Sequence, residues 1–353
     1  MLGYDARAGR AAWSVFLVAL LLVVVYFIRR VLLVFVLAVL FAYLLSPVVN
    51  LVDRSLWWKK SRTYSLAIVY ALLVGVLIAA GILIGNKVVA EASALAANFP
   101  HLVDGLKARL SEPGPAWLQP VKHYIVNQVS ERGQSFGSAV LPIVQRLSVH
   151  AISVLSSLVF VVLIPILSFF FLKDGSDLKE QFLSLAGVRR PMWEDIVEDL
   201  NVLLGQFIRA LVILSLATLT VYAIVFAIFG LPYSALVACF AALLEFIPVV
   251  GPLIAAATIL VVAAVSGTSI LAVLCFLAVY RVFQDYVLSP HLMGAGIAMH
   301  PLLVIFGALA GHELAGIPGM FLSVPVLATL RVGYVRLRKA RGVAPASVTV
   351  QSE

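Results

Sequence analysis

The side chains able to do chemistry in this 353-residue chain are few, and they gather in one region. Glu245 closes an apolar run and is followed by Phe246, Ile247 and Pro248. Arg281, Gln284 and Asp285 interrupt a later apolar run, and Ser289-Pro290-His291, His300-Pro301 and His312-Glu313 come after it. A charge at the centre of a membrane helix costs roughly 2.5–3.5 kcal/mol on insertion scales, so Glu245, Arg281, Asp285 and the polar Gln284 are candidates for a solute or ion path. Arg281 and Asp285 stand at i and i+4 and can neutralise each other on one helix face. That spacing fits a simple helix lock as well as a polar path shared with Gln284. Glu245 can carry a proton, accept hydrogen bonds from a solute, or hold backbone N–H groups freed by the break after it. His300, in front of Pro301, suits a helix-start cap as well as a place in the path. His312 adds a further ring nitrogen pair beside the second break.

Other constellations are excluded by what they lack. His312-Glu313 has no second histidine at metalloprotease spacing. Gly294-Ala295-Gly296 has neither the third glycine nor the preceding strand of a dinucleotide loop. Cys239 and Cys275 sit within apolar runs with no histidine at ligand spacing. Glu194, Asp195, Glu198 and Asp199 invite a divalent-metal reading, but they oppose a stripe of Trp193, Ile196, Val197, Leu200, Leu203, Leu204 and Phe207, as charges do on any surface helix. No nucleophile–base pair and no nucleotide-binding loop is present, so neither an enzyme nor an ATP-driven pump is expected, and no cofactor or metal.

The elements that position these residues are membrane helices. The chain is 63% apolar and only 12% charged, with a mean hydropathy of +1.08, far from the composition of soluble domains. Its net charge of +8 is carried at the ends of apolar runs, where it reports topology; nucleic acid is not an expected partner. About 20 apolar residues cross the hydrocarbon core. Runs of that order are Ala11–Ile28, Val31–Leu51, Tyr64–Ile84, His150–Leu172, Phe207–Phe229 and Ser269–Leu288. Arg7 and Arg10 before the first run imitate a signal peptide, but the run passes Arg29-Arg30 without a small-residue cleavage site, so a retained span is expected.

Four shorter runs remain: Tyr233–Ile247, Pro252–Ser266, Pro301–Gly311 and Gly319–Leu330. They join in pairs at two breaks, one at Pro248, Gly251 and Pro252, the other through Gly311, Gly316, Pro318 and Gly319 with Pro325 beyond; Pro290 lies between the pairs. Backbone leaving the helix inside a bilayer survives only where protein or a watery cavity supplies hydrogen bonds. Two such breaks in corresponding positions mark a solute site. The expected fold is therefore all-α: six full transmembrane helices plus two re-entrant helical hairpins of inverted orientation, with the solute between the hairpin tips and the sixth span, held by helix-end dipoles and freed carbonyls.

Arg54, Lys59, Lys60 and Arg62, and in the tail Arg331, Arg336, Arg338, Lys339 and Arg341, place those segments in the cytoplasm. Both termini are then cytoplasmic, and Arg29-Arg30 falls in an outer turn against the rule. The organisation expected is residues 1–84 as three N-terminal membrane helices, 85–149 as an extracytoplasmic amphipathic region and 150–172 as a fourth span. Residues 173–206 form a cytoplasmic amphipathic helix, 207–331 a transport core and 332–353 a basic, partly disordered tail. In the external region Val88, Ala92, Leu95, Phe99, Leu102, Leu106 and Leu110 recur at helical spacing, before Pro113-Gly114-Pro115 and a second amphipathic stretch from Trp117 to Leu147. Their apolar faces must be covered by the membrane surface or neighbouring subunits.

The run Leu244-Glu245-Phe246-Ile247-Pro248-Val249-Val250-Gly251-Pro252 resembles the signature of the autoinducer-2 exporter family of membrane transporters. The likeness continues through Gln284-Asp285-Tyr286-Val287-Leu288-Ser289-Pro290, Gly294, His300-Pro301, Gly311 to Gly319 and Pro325, and includes Phe169-Phe170-Phe171-Leu172-Lys173-Asp174-Gly175. The resemblance, from about Val31 to Arg331, implies a bacterial inner-membrane homo-oligomer, with a pentamer as its form, whose hairpins are a mobile transport unit. It implies export of a small polar furanone-type signal; some similar members are credited with sodium/proton antiport, so a monovalent cation is the alternative cargo. A non-transporting membrane scaffold is the alternative of another class. His312 departs from the family pattern, where a small residue is expected.

Overall fold

The structure is a computed structural model that describes residues 6–55, 62–111, 158–293 and 299–340. Outside these fall Pro113-Gly114-Pro115, the stretch from Trp117 to Leu147, the start of the fourth expected span, Gly294-Ala295-Gly296 and the end of the tail. Among the described residues all regular structure is helical. Five helices among the described residues are long and apolar enough to cross a membrane, against the six full spans expected.

The largest difference lies at the N-terminus. The first two expected spans are one helix, α1 (Ala6–Ser55), about 75 Å long at 1.5 Å per residue. Arg29-Arg30 is therefore no turn. The physical reason is plain: between Ile28 and Val31 there is no Gly, Pro, Asn or Asp to end a helix, and Arg is among the better helix formers. A similar continuity follows. α2 (Arg62–Ala80) passes through a π-helical segment (Gly81–Gly85) into α3 (Asn86–Ser111), so the third span and the external helix form one rod.

α4 (Leu158–Ser184) runs on through Lys173, Asp174 and Gly175, and a single 3-10 turn leads to α5 (Arg190–Ile228), which merges the expected internal helix with the fifth span. α5 is the central mast, packing against α1, α4 and most of the helices that follow it. Its acidic face makes ion pairs: Asp195 and Asp199 take Arg336 at 2.8 and 2.6 Å, and Glu198 takes Lys179 at 3.5 Å.

Both proline–glycine breaks are sharp bends. α6 (Ser234–Leu244) and α7 (Val250–Ser266) pack together as the first hairpin, with residues 245–249 between them. α8 (Ile270–Phe283) follows, then a π-helical segment (Gln284–Leu288) and the short α9 (Ser289–Met293). α10 (Pro301–Ala340) is bent at Ala315 and Gly316, whose dihedrals are φ −146°, ψ 17° and φ 64°, ψ −144°. Its two arms fold back on each other, because a Cβ on Gly311 would stand 2.2 Å from the carbonyl oxygen of Gly319, and one on Gly319 would stand 1.9 Å from that of Gly311. Pro318 begins the second arm, where its missing N–H is tolerated.

Three cores hold these parts. One joins the first hairpin to α5 and α8 around Tyr222, Phe226, Ala238, Ile259, Val273 and Tyr280. A second joins α1, α5 and the second hairpin through Leu40, Phe207, Leu211, Leu322 and Val324, with Phe246 of the first break packed on it. A third ties α1, α2 and α4 through Leu45, Val49, Leu66 and Leu172. The described part of the external helix face also finds a partner inside the chain: Ala92 is buried and α3 packs on the first hairpin.

Candidate functional site

The first break is built to bend the chain within five residues. Val249 sits at φ 64°, ψ −54°, and the N–H of Val250 donates to the carbonyl of Pro248 at 2.7 Å. This is the γ-turn of positive φ, a rare and strained form. Gly251 is required beyond it, since a Cβ there would lie 1.8 Å from the carbonyl oxygen of Leu244. The peptide groups of this break are not left bare. Glu245, Phe246, Ile247 and Gly251 donate to Ala241, Leu243, Leu244 and Ile247, and the Ser215 hydroxyl of α5 donates to the Ala242 carbonyl at 2.8 Å. The carbonyls of Ala241, Ala242, Leu243, Leu244, Ile247 and Pro248 thus find donors close by, and side chains add to the polar surface there.

Those side chains converge from three elements. Gln284, 3% exposed, donates its Nε2 to Oε1 of Glu245 at 2.5 Å. Arg281 Nη1 lies 3.8 Å from the same oxygen, while its Nε donates to Asp285 Oδ2 at 2.8 Å. The i,i+4 pair expected from spacing is present, and its guanidinium is shared with a carboxylate from the hairpin. The Glu245 side chain is only 10% exposed, with buried Thr218 nearby. Thr218 in turn lies 3.2 Å from the Tyr280 hydroxyl. Polar groups of α5 and α8 therefore gather beside the tip of the first hairpin, joined in the pairs Thr218–Tyr280 and Gln284–Glu245. Ser215, Thr218 and Tyr280 were missed by sequence reasoning; the available signal was hydroxyl groups inside otherwise apolar runs.

A cavity of about 210 Å³ opens at this tip, lined by Glu245, Arg281, Gln284 and Asp285 on one side and by Phe207, Leu211, Val304 and Val324 on the other. Pro248, Val249 and Pro252 supply its hairpin wall. The π-helical segment carries Gln284 and Asp285 into it: the Ser289 N–H donates to the Gln284 carbonyl, five residues back. Such segments are frequent at functional sites.

The second tip does not share this cavity. Ala315, Gly316 and Pro318 line a separate one of about 630 Å³ together with Arg29 and Arg30 of α1. The two hairpins instead meet through arm residues Val304 and Val324 and the ring pair Phe246 and Phe321, 5.8 Å between centroids. His300 is exposed and accepts the Leu302 N–H on Nδ1 at 3.2 Å, a cap on α10. His312 is exposed on the first arm and lines neither cavity. Pro290 falls in α9, and Pro325 lies inside the second arm.

The first hairpin is also anchored from outside its own core. Glu91 of α3 accepts the Leu236 N–H at 2.8 Å, at the start of α6, and Asn98 donates to the Tyr233 hydroxyl at 3.4 Å.

With this architecture in place, the sequence profile described as AI-2E family transporter matches residues 15–339. The chain belongs to the AI-2E transporter family. Two Bacillus subtilis (strain 168) relatives, YrrI and YueF, each named a "Putative transport protein", are both 26% identical to it. The alignments span 87% of this chain and 86% of YrrI, and 85% of this chain and 83% of YueF. A Methanothermobacter thermautotrophicus protein with the same description is 26% identical, over 80% of this chain and 81% of its own length. The AI-2E chain is thus a multi-pass membrane protein of a transport family.

Proposed function

We propose that this AI-2E protein is a secondary transporter that exports a small hydrophilic solute through the cavity at the first break. The observation that carries the reading is the Gln284–Glu245 bond, which places a bridged carboxylate from a hairpin tip in a cavity whose remaining lining is apolar apart from Arg281, Asp285 and Ser289. Arg281 and Asp285 supply the remaining polar contacts, so that a solute with hydroxyl or carbonyl groups can replace bonds the side chains make with each other. A space of about 210 Å³ is below the range of drug-sized pockets, which favours a cargo of autoinducer-2 size over a large one.

A second reading, monovalent cation/proton antiport, is favoured by the two carboxylates, Glu245 and Asp285, on one cavity wall with a single guanidinium between them. Flux in sealed proteoliposomes separates these readings from each other and from a scaffold role. Solute efflux that collapses in Glu245→Gln supports the exporter, and cation-driven change of internal pH supports antiport. Flux of both kinds at wild-type rates in Glu245→Gln and Gln284→Leu removes the site from transport.

The proposed setting is a cytoplasmic membrane of bacterial type, with residues 56–61 and the basic tail inside. A continuous α1 supports one crossing in place of the two expected, and with it an N-terminus on the face opposite Arg54 and Arg62. α1 is more than twice as long as the hydrocarbon core is thick, and its residues 13–21 and 23–32 are exposed and mostly apolar. They offer a surface for lipid or for further copies of the chain, a pentamer by the resemblance.

A further inference from the structure

Phe207 and Leu211 turn one face of α5 to the solute cavity; Gly205 and Arg209 turn another face to a different space. A cavity of about 650 Å³ lies among α1, α2, α4 and α5, and Arg62, Lys179 and Arg209 reach it from three of those helices. Tyr43, Asn50 and Asn201 add hydrogen-bonding groups, and the described lining contains no carboxylate. Lys179 shares its charge with Glu198 at 3.5 Å, whose side chain is 65% exposed. Arg209 donates Nε to the Gly205 carbonyl at 2.8 Å, and neither it nor Arg62 makes an ion pair among the described residues.

Positive charge is therefore in excess around a space large enough for a ligand. Arg209, itself exposed, stands beside buried Phe207 and Ile208 at the start of the apolar part of α5, so its guanidinium is open to a ligand entering the cavity. Donors that converge from separate helices suit an acceptor with oxygens in several directions. A tetrahedral phosphate offers that, whereas the two oxygens of a carboxylate lie in one plane, and Arg forks match phosphate geometry. We propose that this cavity binds a phosphate-bearing anion, supplied either as the headgroup of an anionic phospholipid or as a free phosphate compound. Bound there, it clamps α2, α4 and α5. The inference does not rest on the transport reading, since the two cavities lie on different faces of α5.

The test uses the full chain, purified and stripped of lipid. Thermal shift and native mass spectrometry are run with phosphatidylglycerol, with phosphatidylcholine, with inorganic phosphate and with chloride at equal ionic strength. Wild-type protein is expected to favour phosphatidylglycerol over phosphatidylcholine. A stabilising shift with inorganic phosphate identifies a free phosphate compound as sufficient, and a response to phosphatidylglycerol alone identifies the headgroup. Arg209→Gln and Arg62→Gln should each weaken binding about tenfold, the factor for one charge-assisted hydrogen bond. Arg209→Lys should retain part of the binding, and Arg189→Gln, outside the cavity, should retain all of it. Should Arg209→Gln fail to fold, Arg62→Gln and Lys179→Gln carry the test. The proposal is overturned by equal binding of the two lipids together with no response to phosphate, or by cavity variants that bind as wild type does.

Discussion

Replacing Val249 by glycine and, separately, by alanine isolates the strain in the first break. Its φ of 64° sets Cβ against the backbone, at a cost of about 1–2 kcal/mol for an L residue. Both substitutions remove the valine methyls, so the difference between them is the Cβ alone. At an unstrained site alanine is the more stable by about 0.5–1 kcal/mol, because glycine loses more chain entropy on folding. At position 249 the released strain exceeds that entropy, and the order should invert by up to about 1 kcal/mol. In apparent midpoint this is roughly 1–2 °C for a chain of this size, by extrapolation of the size scaling. Midpoints must be compared at one scan rate, since membrane proteins of this kind often unfold irreversibly. A midpoint for Val249→Ala above that of Val249→Gly would refute the assignment of a strained turn. The same pair measured for flux asks whether the strain matters to function: Val249→Gly should alter flux more than Val249→Ala does.

Glu245→Gln keeps the shape of the tip but loses the charge facing Arg281, and proteoliposome flux should fall about tenfold or more, the worth of one charge-assisted contact; circular dichroism should show the fold retained. Gly311→Val should prevent correct closure of the second hairpin, seen as loss of monodisperse protein on size exclusion, because its Cβ would overlap the Gly319 carbonyl. Glu91→Ala removes the acceptor for Leu236 N–H and should destabilise by about 0.5–2 kcal/mol, as lost helix-start caps do, read as a lower thermal midpoint. Arg336→Ala breaks bonds to Asp195 and Asp199 whose groups are substantially exposed, so its cost should stay near or below about 1 kcal/mol and shrink with added salt.

Much of the site was legible because its signals are local. Pro248, Gly251 and Pro252 cannot continue a helix, and Arg281 to Asp285 is a one-turn spacing that any reader of periodicity finds. The shape of the second bend was legible in the same way, through Gly316 and Pro318. What escaped is non-local. No spacing rule brings Thr218 to Glu245 or Glu91 to Leu236, and the closing of the first break by Ser215 depends on how α5 packs against α6. The continuity of α1 was misread for another reason. A hydropathy window divides a run at any pair of charges, whereas helix propensity sees nothing at Arg29-Arg30 that would stop the chain. The separation of the two tips is likewise non-local: no spacing rule brings Arg29 and Arg30 beside Gly316.

The Gly311 and Gly319 contact bears on how the second hairpin can move. At Gly311 and Gly319 the main chains touch with no side chain between them, so at that level neither arm can ratchet along the other by a turn without a carbonyl striking an α-carbon. Any excursion of this element is then that of a single wedge, with flexing confined to its ends, near Met299 on one side and beyond Arg331 on the other.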